Sequence, residues 1–266
     1  MSRARLIDCF LLALLIQLCT AVFGQMPKLS PLPQTGSLSS PSDPNNFTFV
    51  MAGDNRPASS SCPQPPIPGT IFADVHQDKS VAFVLWTGDT VSGKDPDAKV
   101  LKKQYKEFLA IAATAGVPVF NAPGNHEMDE KDEVPSSTMK EYYRKYMAET
   151  YGAFTYGNSR FIALDSENEP TSAKLPKQAS TAEGAAKSQP PGFITKKQLE
   201  LLKGDLEANK DKAHIIIFMH HPVMPYGGDK SGLDPASVKA LQELFAGDKK
   251  KENPWLYERI LCRFRA

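Results

Sequence analysis

Four short polar clusters could carry chemistry: Gly53-Asp54-Asn55-Arg56, Gly88-Asp89, Gly124-Asn125-His126-Glu127 and His220-His221-Pro222. Carboxylate, amide oxygen and imidazole are the donors that suit a divalent cation such as Zn, Mn or Fe. Each cluster follows an apolar run, and the glycines before Asp54, Asp89 and Asn125 let the chain turn sharply there. Taken singly, Asp54 or Asp89 is an ordinary turn or cap residue. Asn125 alone is a turn, and a lone His220 or His221 is a hydrogen-bonded buried histidine. The four occurring together, in this order, are what point to a metal site.

The elements that must position these residues are legible in the apolar patterning. Phe47 to Ala52 (FTFVMA), Val81 to Trp86 (VAFVLW), Val117 to Phe120 (VPVF) and His214 to Met219 (HIIIFM) are apolar almost throughout, as strands covered on both faces are. Between them lie helical patterns. Asp97 to Ala113 carries Val100, Leu101, Phe108, Leu109 and Ala112 on one face. Thr195 to Ala208 opens with a Thr195/Gln198 capping box and buries Leu199, Leu202 and Leu206. Asp234-Pro235 starts another, with Val238, Leu241, Leu244 and Phe245 inward. Strands alternating with helices predict an α/β domain. A hairpin of Phe154 to Tyr156 and Arg160 to Asp165, turning at Gly157-Asn158, makes the sheet mixed. In open α/β sheets the carboxyl ends of strands converge on one crevice. Asp54, Asp89, Asn125, His126 and His220 are therefore expected to meet.

The ends of the chain carry other signals. Arg3 and Arg5 precede an apolar run from Phe10 to Phe23, the layout of a secretory signal peptide over residues 1–24, with cleavage after Gly24 and export to the periplasm or the extracellular space. The run is too short to span a bilayer, so no stable membrane span is expected after cleavage. Residues 25–46, rich in Pro, Ser, Gly and Asn, suggest a flexible linker. Residues 128–137 and 167–191 suggest surface insertions that either shape substrate access or are passive. After cleavage Cys62 and Cys262 remain, and an oxidising compartment would permit a bridge between them. A net charge of +1 gives no field that would draw nucleic acid or an anionic membrane.

The order of the clusters resembles the signature of calcineurin-like metallophosphoesterases, the superfamily that includes purple acid phosphatases. The likeness extends from Phe47 to Phe245 and takes in FTYGNSRFIALD (154–165) and the helix leading into the histidine strand. It implies a mixed-sheet sandwich flanked by helices over residues 47–246, and hydrolysis of phosphate mono- or diesters by a two-metal-activated hydroxide. Residue by residue, it implies that Asp89 bridges two metals and Asp54 binds the first. Asn125 and His220 would bind the second. His126 would stabilise charge or protonate the leaving oxygen, oriented by Glu127 or another acid.

The match departs from the family at three places. The family's first motif reads Asp-x-His, and Arg56 stands in the histidine slot. A guanidinium has no lone pair to ligate a cation, but it can grip a phosphate oxygen, which makes Arg56 a candidate for catalysis as well as for a structural ion pair. Ser92 occupies the slot of the iron-binding tyrosine of purple acid phosphatases, so an iron–tyrosinate centre is not expected. The closing Gly-His-x-His is not found, and no histidine follows His221. The expectation is a domain incomplete at its C-terminus with an atypical tail at 247–266, a second-metal site retaining three ligands and a first-metal site retaining two. Three functions stay open: a hydrolase, a non-catalytic member that binds metal or phosphate, or a structural or interaction module that merely inherits the scaffold.

Overall fold

The structure is a computed structural model that describes residues 24–93, 97–128, 136–167, 192–223 and 232–246. The apolar run of the expected signal peptide, most of both insertions, the tail and Cys262 lie outside the described residues; among the described residues Cys62 forms no disulfide.

Six strands form two three-stranded sheets. β1 (Thr48–Ala52), β2 (Val81–Trp86) and β3 (Val119–Asn121) pair in parallel in that order. β4 (Gly152–Tyr156) and β5 (Ser159–Ala163) form the expected hairpin, and β5 pairs in parallel with β6 (His214–Phe218). The expected mixed pairing is therefore present, confined to the second sheet.

The period-2 alternation of β2 shows how the layers stack. Phe83 and Leu85 face an inter-sheet core with Phe120, Phe154, Phe161 and Phe218, where Phe120 and Phe154 stack at 3.8 Å. Val84 and Trp86 face the opposite way, onto the helices α1 (Pro66–Gln77), α2 (Ala98–Ala113) and α4 (Ser136–Tyr146). On the far side Ile162 and Leu164 pack with Leu202 of α5 (Lys196–Ala208) and Leu241 of α6 (Pro235–Ala246). The result is a two-sheet sandwich between helical layers, as expected. The remaining helix, α3 (Asn125–Met128), is a single turn carrying site residues.

Local signals explain the helix boundaries. Asp97 caps α2 by accepting from Lys99 N–H, and Asp234 accepts from the N–H groups of Ala236 and Ser237 beside Pro235. Thr195 caps α5, accepting from Gln198 N–H at 3.2 Å. The Gln198 amide turns away from the reciprocal capping-box bond. It pairs with both backbone groups of Asp165 at 2.9 and 3.0 Å, tying α5 to the end of β5.

Within the segment expected as a linker over residues 25–46, the first half packs against the body of the fold. Met26, Leu29 and Leu32 are buried. Leu29 N–H donates to Ala153 O at 3.0 Å and Leu32 N–H to Val119 O at 2.7 Å, so the segment touches both sheets. Three apolar residues spaced among prolines form no readable period, which is why composition alone suggests a linker.

Candidate metal centre

β1, β2 and β3 end in tight turns that carry the first three clusters. Asp54 and Asp89 adopt left-handed backbone, φ 54° and 58°. That conformation is tolerated best by Gly, Asn and Asp and costs about 1–2 kcal/mol elsewhere. Asp54 N–H donates to Gly88 O at 3.1 Å, joining the two turns. Gly88 has φ 86°, and a Cβ there would overlap the Gly124 nitrogen and stand 2.7 Å from Pro123 C. Neither backbone atom can withdraw, so Gly88→Ala is expected to lower stability by about 2–5 kcal/mol and to weaken cation uptake, read by denaturant melts and metal titration.

The crevice gathers the expected residues. Ligand atoms of Asp54, Asp89 and His220 lie within 4.8 Å of one another, and this is the metal-competent His/Cys/Asp/Glu cluster among the described residues. Asn125 joins them, its Oδ1 2.9 Å from His220 Nε2. His220 Nδ1 lies 2.8 Å from the Thr87 carbonyl, which can only accept. Nδ1 therefore carries the proton in the neutral ring, and the Nε2 lone pair points at Asn125 Oδ1 and, 3.7 Å away, at Asp89 Oδ1. Three electron-rich atoms facing one another is a set that a cation satisfies, so the residues present fit a divalent ion.

Asp89 sits at the centre, 3% exposed. Its Oδ1 accepts from His126 N–H at 3.1 Å, and its Oδ2 lies 3.5 Å from Arg56 Nε and 3.9 Å from His126 Nε2. His126 Nδ1 is 2.6 Å from the Ser92 carbonyl, so Ser92, in the expected tyrosine slot, orients the imidazole through its backbone.

Of the acids expected to orient His126, Glu127 or another, Glu127 directs its carboxylate elsewhere. Glu127 is fully buried and accepts from Asp89 N–H (2.8 Å), Thr90 N–H (2.5 Å), Thr90 Oγ1 (2.8 Å) and Gly124 N–H (2.6 Å). It holds the β2 and β3 turns in register instead. Its donors are mostly backbone N–H groups, which carry no sequence signal.

His221, adjacent to His220, faces away. Its Nδ1 lies 3.1 Å from Ser166 Oγ and 2.8 Å from Glu167 Oε1, beside the buried Lys140–Asp165 pair at 3.0 Å. Ser166, Glu167 and Lys140 were not readable as neighbours of the site, because each comes from an element whose contacts depend on the sandwich.

Burial pushes the Asp89 carboxyl up to about 9, with the Glu127 charge adding to the rise and His126 N–H opposing it. In the metal-free chain Asp89 therefore holds its proton at neutral pH, and an incoming cation must displace it. Cation affinity is expected to climb with pH, roughly tenfold per unit at most, and to level above about 9. Calorimetric titration in buffers of different ionisation enthalpy measures the released proton. Pure pH independence from 6 to 9 would contradict the assignment.

The family model for calcineurin-like phosphoesterases matches residues 64–248. The chain belongs to the calcineurin-like phosphoesterase family. The matched span begins after Asp54 and Arg56. Among solved structures, a dimetal phosphatase from Danio rerio is similar, with a TM-score of 0.54 at 17% identity over 74% of this chain and 76% of that one. A purple acid phosphatase from yellow lupin (Lupinus luteus) seeds gives 0.47 at 17% identity over 77% of this chain and 37% of that one. No curated protein matches. Among the described residues no helix is long and apolar enough to cross a membrane.

Proposed function

We propose that the chain hydrolyses phosphate mono- or diesters with a divalent cation held by Asp54, Asp89, Asn125 and His220. The observation that carries this reading is the convergence of those four side chains on one point, with the His220 Nε2 lone pair directed into it. A divalent ion in that position supplies Lewis acidity and lowers the pKa of bound water. The chain's own residues do the rest. The Arg56 guanidinium, one-third exposed at the crevice, grips a phosphate oxygen. His126, fixed by Ser92 O, delivers a proton to the leaving oxygen or stabilises the charge that develops on it. The basic start and apolar run at residues 3–23 support export, which would place the substrate outside the cytoplasm.

A second reading, a member that binds metal or phosphate without turnover, is favoured by Arg56 standing where a histidine ligand is expected. Incubating the purified chain with Mn²⁺ or Zn²⁺ and a chromogenic phosphomonoester and diester separates the two. Turnover that a chelator abolishes and added ion restores supports the enzyme. Tight ion uptake with no turnover of either ester supports the binding protein.

A further inference from the structure

We propose that this centre takes a single divalent ion and that the Arg56 guanidinium stands in for a second, so that Asp89 bridges a metal and an arginine. The inference rests on the metal-site reading above and deepens it.

The two oxygens of Asp89 face different partners. Oδ1 lies on the side of His220 Nε2, 3.7 Å away. Oδ2 faces Arg56 Nε at 3.5 Å. The Arg56 side chain is 33% exposed against 4% for Asp89, so the pair is partly withdrawn from water and only weakly screened. The ligand atoms of Asp54, Asp89 and His220 all lie within 4.8 Å of one another, close to the span of roughly 4.4 Å that two bonds of about 2.2 Å to a single ion can bridge. Among the described residues no second cluster of three such side chains exists.

Charge points the same way. Asp54 and Asp89 bring two carboxylates to the crevice, and the buried Glu127 behind them adds a third negative charge that acts on Asp89. One divalent ion with Arg56 balances them. Two divalent ions with Arg56 would place five positive charges against three negative ones, at separations where a low-dielectric crevice screens little. A guanidinium can neutralise the shared carboxylate and present N–H donors to a phosphate oxygen, as a second ion would. It offers no open coordination position, so activating water is left to the single ion. This half of the charge cannot be removed by a chelator.

Manganese provides the test, because one bound Mn²⁺ gives a six-line paramagnetic resonance spectrum and two ions sharing a carboxylate give an exchange-coupled one. The metal-free full chain, titrated with Mn²⁺, is expected to take up one ion with the six-line spectrum. Arg56→Lys, which keeps the charge, should stay at one. Arg56→His, which exchanges the charge for an imidazole, should rise to two with a coupled spectrum. Two coupled ions in the unaltered chain would overturn the proposal while leaving the phosphoesterase reading intact. Arg56→His remaining at one, with an unchanged melting profile, would overturn the role given to Arg56. No Mn²⁺ uptake by the unaltered chain would remove the metal-site reading and this inference together.

Discussion

Glu127→Gln is expected to lower the stability of the chain by about 3–5 kcal/mol and to abolish tight cation uptake. The Glu127 carboxylate accepts from Asp89 N–H and Gly124 N–H on one oxygen, and from Thr90 N–H and its hydroxyl on the other. An amide keeps one acceptor and turns an NH₂ group toward the remaining N–H donors. Donor then meets donor at a site with no exposed surface. Burial raises the Glu127 pKa, while its donors lower it. The substitution would also remove a charge that Asp89 feels. The expected lowering of Tm is roughly 10 °C. Urea melts and Mn²⁺ titration of the variant check both halves. A loss below about 1 kcal/mol with normal uptake would show that the β2 and β3 turns hold their register without this carboxylate.

His126→Ala is expected to lower kcat by about 10²–10⁴-fold while leaving ion uptake unchanged. The two effects separate because the His126 backbone N–H, not its ring, donates to Asp89 Oδ1, and that bond survives the substitution. The ring nitrogen Nε2 lies 3.9 Å from Asp89 Oδ2, at the edge of the crevice where a leaving oxygen would stand. If the ring delivers a proton, an ester with a poor alkoxide leaving group should lose far more rate than a nitrophenyl ester, whose leaving group needs no proton. Equal losses on both would assign His126 to charge stabilisation. Loss of bound metal in the variant would contradict the separation altogether.

Most of the scaffold was legible because the strands that matter are apolar on both faces. The run at 81–86 becomes β2 residue for residue, and the histidine-bearing run at 214–219 becomes β6 but for its last residue. The convergence of Asp54, Asp89, Asn125 and His220 follows from placing each after such a strand, although the strands belong to two sheets rather than one. Helix α1 was hidden by PQPPIPG, where a proline at the first helical turn signals a start only if a helix is already suspected. Its burial of Phe72 against Trp86, ring centroids 5.2 Å apart, depends on tertiary packing. Helix α4 lay partly inside a stretch read as an acidic loop, and its inward residues Met139 and Tyr143 are too few to set a period. The roles of Glu127 and Ser92 escaped for another reason. Both act through main-chain groups, and a main-chain donor or acceptor leaves no mark on residue type.

Asp54, Asp89 and Asn125 hang from the parallel sheet, whereas His220 hangs from the mixed one. An ion shared by all four would therefore act as a rivet through the sandwich, so that its affinity becomes cohesion between the halves. At a free concentration a hundred times its Kd, such a ligand adds about 2.7 kcal/mol to the folded state. Scarcity of the ion in the surroundings would then loosen the architecture as well as silence the chemistry, coupling the lifetime of the protein to the supply of metal.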